Sequence, residues 1–371
     1  MKFFESTPTF RFQTQRLLSE CANGGGDPTE MGWAIARIAD NDYESWFEGW
    51  SWLAERARNA GEKALADSHV VTARNHLFRA ANYYRQAEFF LPHSDSRKLS
   101  TWKTMSENFR RAAELGDSSF EFFELSYENG QTLPGYFVKA QASDKPLPTV
   151  IYLNGADGTK EESWYLSKGF VDRGMNFVTI DGPGQGQPLR EQHIYTRPDY
   201  EAAVTPLLDH VLRRPDVDPD RVALVGASMG GYYGARAACF EPRFRCLLLH
   251  SAVYNIRDDL YDNFPPIRAH LQWVTGTFDD QKARERLDAF DVGPHLHRIR
   301  MPVLIGHGDA DVLTNPNGAS KVFAGLANVP EGDKTLRVFS ARENAGAHNQ
   351  VDNPTEAWPV LMDWVLDQLQ R

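Results

Sequence analysis

The chain has 371 residues, 42% of them apolar and 24% charged, with a formal charge of −10 at neutral pH. That is the composition of a globular protein with room for a catalytic domain and an accessory one. The acidity is spread along the chain and no long basic block occurs, which excludes nucleic acid as the expected partner. The three cysteines (Cys21, Cys239, Cys246) lack CxxC or CxxH spacing, so neither a disulfide framework nor a zinc site is expected. The opening Met1-Lys2-Phe3-Phe4-Glu5-Ser6 is interrupted too early by polar residues for a secretory signal, and no run is long and apolar enough to span a bilayer. The expected location is the cytoplasm, with no membrane partner.

Residues 28 to 116 read as helical. Pro28 stands near a helix start, followed by Trp33, Ile35 and Ile38. Asp42 is placed to cap a second helix carrying Trp46, Trp50, Leu53 and Ala54, ending near Gly61. A third segment, Glu62 to Leu91, sets Ala66, Val70, Ala73, Leu77, Ala81, Tyr84 and Ala87 on one stripe. After Pro92, Trp102, Met105, Phe109 and Ala113 continue the pattern. The many aromatic residues here are assigned to packing between helices. No second copy appears at a 34-residue period, which excludes a tetratricopeptide array.

From Phe120 the periodicity changes. Phe120–Leu125 and Gly135–Ala140 read as an antiparallel pair joined across Asn129-Gly130. Near-continuous apolar runs follow at Pro148–Leu153, Asn176–Asp181, Arg221–Val225, Cys246–His250, Pro302–Gly306 and Leu336–Phe339, most of them separated by helical patterns. Such runs are what parallel strands buried on both faces require, so the fold class is α/β with a doubly wound, mostly parallel sheet. The expected domains are a helical one over residues 1–118 and a catalytic one over 119–371, with inserted helices at about 252–297. An insertion there lies over the carboxyl edge of the sheet and serves as a lid.

The chemistry centres on Gly226-Ala227-Ser228-Met229-Gly230, preceded by an apolar run and followed by small, helix-compatible residues. A serine on a sharp strand-to-helix turn is a nucleophile elbow, with its Oγ lifted from the sheet and helix N–H groups behind it. An acid is expected after a late strand, where His307-Gly308-Asp309-Ala310-Asp311 offers two carboxylates; Asp311 is chosen, because the turn His307-Gly308 followed by two residues carries its side chain around toward the site, with Asp309 bracing the loop or capping the following helix and His307 structural. A base is expected after the final strand, and His348 lies in a loop of small residues there. The oxyanion hole needs two backbone donors. Met229 N–H supplies one, and Ala156 N–H, in the loop Asn154-Gly155-Ala156-Asp157-Gly158, the other. Asp181-Gly-Pro-Gly-Gln-Gly186 lacks the Lys-Ser/Thr of a phosphate loop and is read as a sharp turn flanking the pocket. Trp164, Tyr165, Tyr254 and Trp273 are candidate contacts for a flat aromatic or polyketide substrate, with lining a core as the alternative for each. No metal or organic cofactor is expected.

The chain order Ser228, Asp311, His348 resembles that of α/β-hydrolases. The segments Asn154–Glu162, Asp181–Gly186 and Gly226–Gly231, with the helical N-terminal region, resemble the 2,6-dihydroxypseudooxynicotine hydrolase group. That group includes fungal polyketide-shortening hydrolases of the yellowish-green type and is akin to FrsA-like esterases. The resemblance implies cleavage of a carbon–carbon bond beside a ketone, a homodimer formed through the N-terminal helices, and a substrate contact at Asp157. The chain departs from the group's pattern at Asn154-Gly155-Ala156, where His-Gly or Gly-Gly is usual, and at Gln187, where Glu is common. Ester hydrolysis or acyl transfer by the same residues, or a binding role without catalysis, are the alternatives.

Overall fold

The computed structural model describes residues 4–116 and 119–371, the side chain of Ser167 apart. The expected boundary at residue 118 and the opening Met1-Lys2-Phe3 lie outside the described residues. The chain divides into two compact units, Met1–Phe120 with Trp164–Leu166, and Glu121–Ser163 with Ser167–Arg371. Among the described residues no helix is long and apolar enough to cross a membrane.

The first unit holds helices α1 (Pro8–Glu20), α2 (Pro28–Ile35), α3 (Tyr43–Ala66), α4 (Val70–Phe89) and α5 (Ser96–Glu114). Asp27 and Asp42 start α2 and α3, each side chain accepting from two N–H groups of the first turn. Two expectations change. Helix α3 runs past Gly61 to Ala66, because Gly61 lies in the α3–α4 contact, where a Cβ would sit 3.1 Å from the Leu77 side chain. The single segment Glu62–Leu91 is instead two helices, divided where Ser68 takes a left-handed conformation at φ 61°. Helix α1, which the apolar spacing did not reveal, is tied in by Phe10, whose ring lies 4.4 Å from that of Trp46. Trp46 and Trp50 are fully buried, and Trp46 Nε1 donates to the Gln86 carbonyl at 2.7 Å. The aromatic residues of this unit join its helices.

The second unit is built on strands β1 (Phe120–Ser126), β2 (Thr132–Val138), β3 (Leu147–Leu153), β4 (Asn176–Ile180), β5 (Val217–Ala227), β6 (Cys246–His250), β7 (Val303–Gly308) and β8 (Lys334–Phe339). They form one sheet in the order β1-β2-β4-β3-β5-β6-β7-β8. The turn between β1 and β2 has Asn129 and Gly130 at positive φ, as an Asn-Gly hairpin demands. Strand β2 pairs antiparallel with β4, and every pairing from β4 through β8 is parallel. The central strands are buried on both faces, which accounts for their unbroken apolar sequence. Helices α6 (Lys160–Val171), α7 (Gly186–Glu191), α8 (Glu201–Leu212) and α9 (Met229–Phe240) connect the earlier strands.

Between β6 and β7 the chain forms α10 (Arg268–Thr275), α11 (Asp280–Asp288) and shorter helical turns. This insertion is anchored rather than loosely attached. Leu271, Val274, Leu287 and Phe290 belong to the main apolar core, and Asn255 bridges Asp291. Helices α12 (Pro316–Gly325) and α13 (Pro354–Gln370) complete the unit.

Candidate active site

Ser228 stands between the last residue of β5 and the first of α9, at φ 58° and ψ −126°. That conformation is strained for a residue with a Cβ, and strain of this kind persists only where the surroundings impose it. They do so here. A Cβ on Gly226 would lie 2.0 Å from the Gly230 carbonyl oxygen, and one on Gly230 would lie 2.2 Å from that of Leu153. Only glycine permits the close crossing of strand, turn and helix. Ser228 N–H donates to the His250 carbonyl at 2.8 Å, fixing the turn to β6.

Asp311 follows β7 and is buried. Its Oδ1 accepts from the N–H groups of Leu313 and Thr314, at 2.9 and 3.0 Å. Its Oδ2 accepts from Thr314 Oγ1 at 2.5 Å and meets His348 Nδ1 at 2.7 Å. Burial alone would raise the carboxyl's pKa, but the His348 charge and these hydrogen bonds outweigh it and hold the group at about 2. Thr314 was not anticipated; its signal is a hydroxyl residue three positions beyond the acid, where it can close a local turn.

His348 lies in the loop after β8, buried, with Asn349 and Gln350 both left-handed beside it. The loop is pinned from two sides. Asn349 N–H donates to Ser251 Oγ at 3.1 Å, and Asp309 Oδ1 accepts from Ala341 N–H at 2.7 Å. Asp309 thus ties the acid's loop to the histidine's loop. His307 is buried with its Nε2 3.8 Å from Asp311 Oδ2. Burial lowers its pKa against the pull of the Asp311 carboxylate.

The loop 154–158 passes close to the serine, since a Cβ on Gly155 would lie 3.3 Å from Ser228 Oγ. Ala156 and Met229 are both buried, and Asp157 is half-buried. The Ala156 carbonyl lies 2.9 Å from Nε2 of His270 on α10, a contact no local sequence pattern signals.

The four aromatic candidates part company. Trp164 and Tyr165 pack in the helical unit, where Trp164 stacks on Phe78 and the Tyr165 hydroxyl donates to the Phe78 carbonyl at 2.7 Å. Tyr254 opens the insertion, its N–H donating to Asp259 Oδ2 at 2.8 Å and its ring 5.5 Å from Lys321 Nζ. Trp273 lies edge-to-face with His270 at 5.6 Å and 5.1 Å from the Arg190 guanidinium. Of the four, Trp273 is the one joined through His270 to the loop beside Ser228.

Residues 28–260, more than half the chain, match the family model described as esterase FrsA-like. The chain is an α/β-hydrolase of the FrsA-like esterase family. Residues 164–370 of this FrsA-like chain also match the prolyl oligopeptidase family. It is 34% identical to alpha/beta hydrolase xenA of Xenoacremonium sinensis, over 99% of this chain and 97% of that one. It is 29% identical to alpha/beta hydrolase psoB of Aspergillus fumigatus, over 89% and 86% of the two. Among solved structures it superposes on 2,6-dihydroxy-pseudo-oxynicotine hydrolase with a TM-score of 0.83 and 26% identity, covering 95% of each chain. The expected resemblance and fold class are borne out, and the FrsA-like chain is an enzyme of the hydrolase class.

Proposed function

We propose that this hydrolase cleaves a carbon–carbon bond adjacent to a ketone, in an aromatic or polyketide-type substrate, through an acyl-enzyme on Ser228. The observation that carries the reading is the 2.7 Å contact between Asp311 and His348 on successive sheet-edge loops, with a strained serine at the elbow. His348 takes the Ser228 proton at Nε2 as Oγ attacks the ketone carbon. The N–H groups of Ala156 and Met229 hold the resulting oxyanion. Collapse re-forms the carbonyl and breaks the carbon–carbon bond. The electron pair leaves as an enolate or an electron-rich ring and is protonated by the imidazolium, with Asp157 as a second candidate donor. Water then attacks the ester with His348 as base, releasing a carboxylic acid and restoring the serine.

Two features support the carbon–carbon reading: the name of the superposable hydrolase, and the motifs shared with the group that shortens polyketides. The family description favours a second reading, ester hydrolysis or acyl transfer by the same residues. Paired β-diketone and matched ester substrates separate them. Carbon–carbon cleavage predicts a higher kcat/KM for the diketones; faster turnover across the ester series would overturn it. A fluorophosphonate should label the wild type and leave Ser228→Ala unlabelled, and no labelling of either would sink the serine mechanism and leave a binding role.

A further inference from the structure

The Gly-rich stretch Asp181–Gly186 takes no part in the chemistry proposed above, yet its glutamine reaches the loop that does. Gln185 is buried, and its Nε2 donates to the carbonyl oxygens of Asn154 and Gly155, both at 2.9 Å. Its Oε1 accepts from Gly182 N–H at 3.2 Å and from the Tyr200 hydroxyl at 3.1 Å. A flipped amide would set an oxygen against two carbonyls and an NH₂ against an N–H donor, so only one orientation satisfies the site. Tyr200 is itself held by stacking on Tyr233, with ring centroids 3.6 Å apart. The stretch needs its first glycine for this purpose, because a Cβ on Gly182 would lie 2.0 Å from the Tyr200 hydroxyl oxygen.

In a trans peptide the C=O and the N–H point in opposite directions. The hydrogen bond on the Gly155 carbonyl therefore sets the direction of the Ala156 N–H in the same peptide, and polarises that N–H as a donor. We infer that Gln185 is a positioning residue for the oxyanion hole, holding the 154–156 backbone so that Ala156 N–H is aimed before charge develops beside Ser228. The inference rests on the proposed function, in which that N–H meets the oxyanion. Donors fixed in advance need no reorganisation during the reaction, which is where such sites gain their rate. The 181–186 turn is thus the support of the oxyanion loop.

The test uses Gln185→Met, which keeps length and removes both donors, and Tyr200→Phe, which removes only the hydroxyl anchoring Oε1. Two quantities are read: the second-order rate of fluorophosphonate labelling at Ser228, and the affinity for an aryl trifluoromethyl ketone, whose adduct carries a real oxyanion. Losing one oxyanion donor outright costs about 10²–10³ in rate, so a misaimed donor should cost Gln185→Met about 10- to 100-fold. The ketone should weaken by the same factor, while the pH of half-maximal labelling stays where it is in the wild type. Tyr200→Phe should lose less, in the same direction; if Gln185→Met shows no cooperative melting transition, this second variant carries the test. Wild-type rates and affinities in the folded variants would overturn the inference, as would a moved pH midpoint, which would mean an effect through His348. A wild type that takes no label would overturn the proposed function and this inference together.

Discussion

Two sheet-edge loops each bury an aspartate, and they treat it oppositely. After β7, Asp311 accepts two backbone N–H groups, a threonine hydroxyl and the His348 imidazole, and its pKa falls to about 2. After β4, Asp181 accepts the Lys160 N–H at 2.7 Å and pairs with Lys160 Nζ at 3.0 Å. Glu161 shares the same ammonium at 2.7 Å. Burial and the Glu161 charge push the Asp181 pKa up against the pull of Lys160, while the two carboxylates keep Lys160 protonated despite its burial. An acid surrounded by donors stays ionised and can orient an imidazole. An acid sharing one cation with a second carboxylate is scaffold, bracing the turn that carries Gln185. Residue type and place on the sheet are alike in the two; the neighbours decide the role.

Substitutions in the two loops, and at the serine they serve, should separate chemistry from scaffold. The largest effect is expected of Ser228→Ala, which should lower kcat by about 10⁴-fold or more with the melting temperature nearly unchanged. Asp311→Asn should cost about 10⁴ in kcat, because the amide favours the wrong His348 tautomer; a loss under tenfold would place the orienting acid elsewhere. Lys160→Met should act mainly on stability. It removes the ammonium that two buried carboxylates share and should cost about 3–5 kcal/mol in urea unfolding, with kcat of the folded protein lowered far less than in Asp311→Asn.

A pH series sharpens the contrast. The Asp311 pKa lies below its ordinary 3.8 in the folded protein, so its contribution to stability is present above about pH 4 and lost as pH falls toward 2. The pH-dependent part of the wild type's advantage over Asp311→Asn should therefore vanish across that window, by roughly 2 kcal/mol at 1.36 kcal/mol per pKa unit. A gap that stayed constant to pH 2 would break the account. The smallest effect is expected of Thr314→Val, which removes one of the donors on Asp311 Oδ2. About tenfold in kcat, with the acid-unfolding midpoint moved to higher pH, is the expected outcome.

The parallel strands were legible because a strand covered on both faces must be apolar throughout, and the elbow because only glycine fits where backbone meets backbone. The helix starts near Pro28 and Asp42 were equally local. The break at Ser68 was not, since nothing in Ala66-Asp-Ser-His-Val70 is a strong helix breaker and the left-handed turn serves the packing of α3 on α4. The turn at His307-Gly308 favours Asp311 over Asp309; the distances of the two carboxylates to His348 and Ala341 belong to the folded chain.

What the sequence determined by itself was the set of pieces whose chemistry is local: strand runs, caps, a Gly-flanked serine, and an acid and a histidine in order along the chain. What only the tertiary structure decided was which distant groups meet. Asn349 N–H reaches Ser251 Oγ, His270 reaches the Ala156 carbonyl, and Gln185 clamps the backbone of Asn154 and Gly155 from thirty or so positions away. A hydrogen bond acts over about 3 Å of space and leaves no period in the chain, so such partners become visible only when folding brings them together.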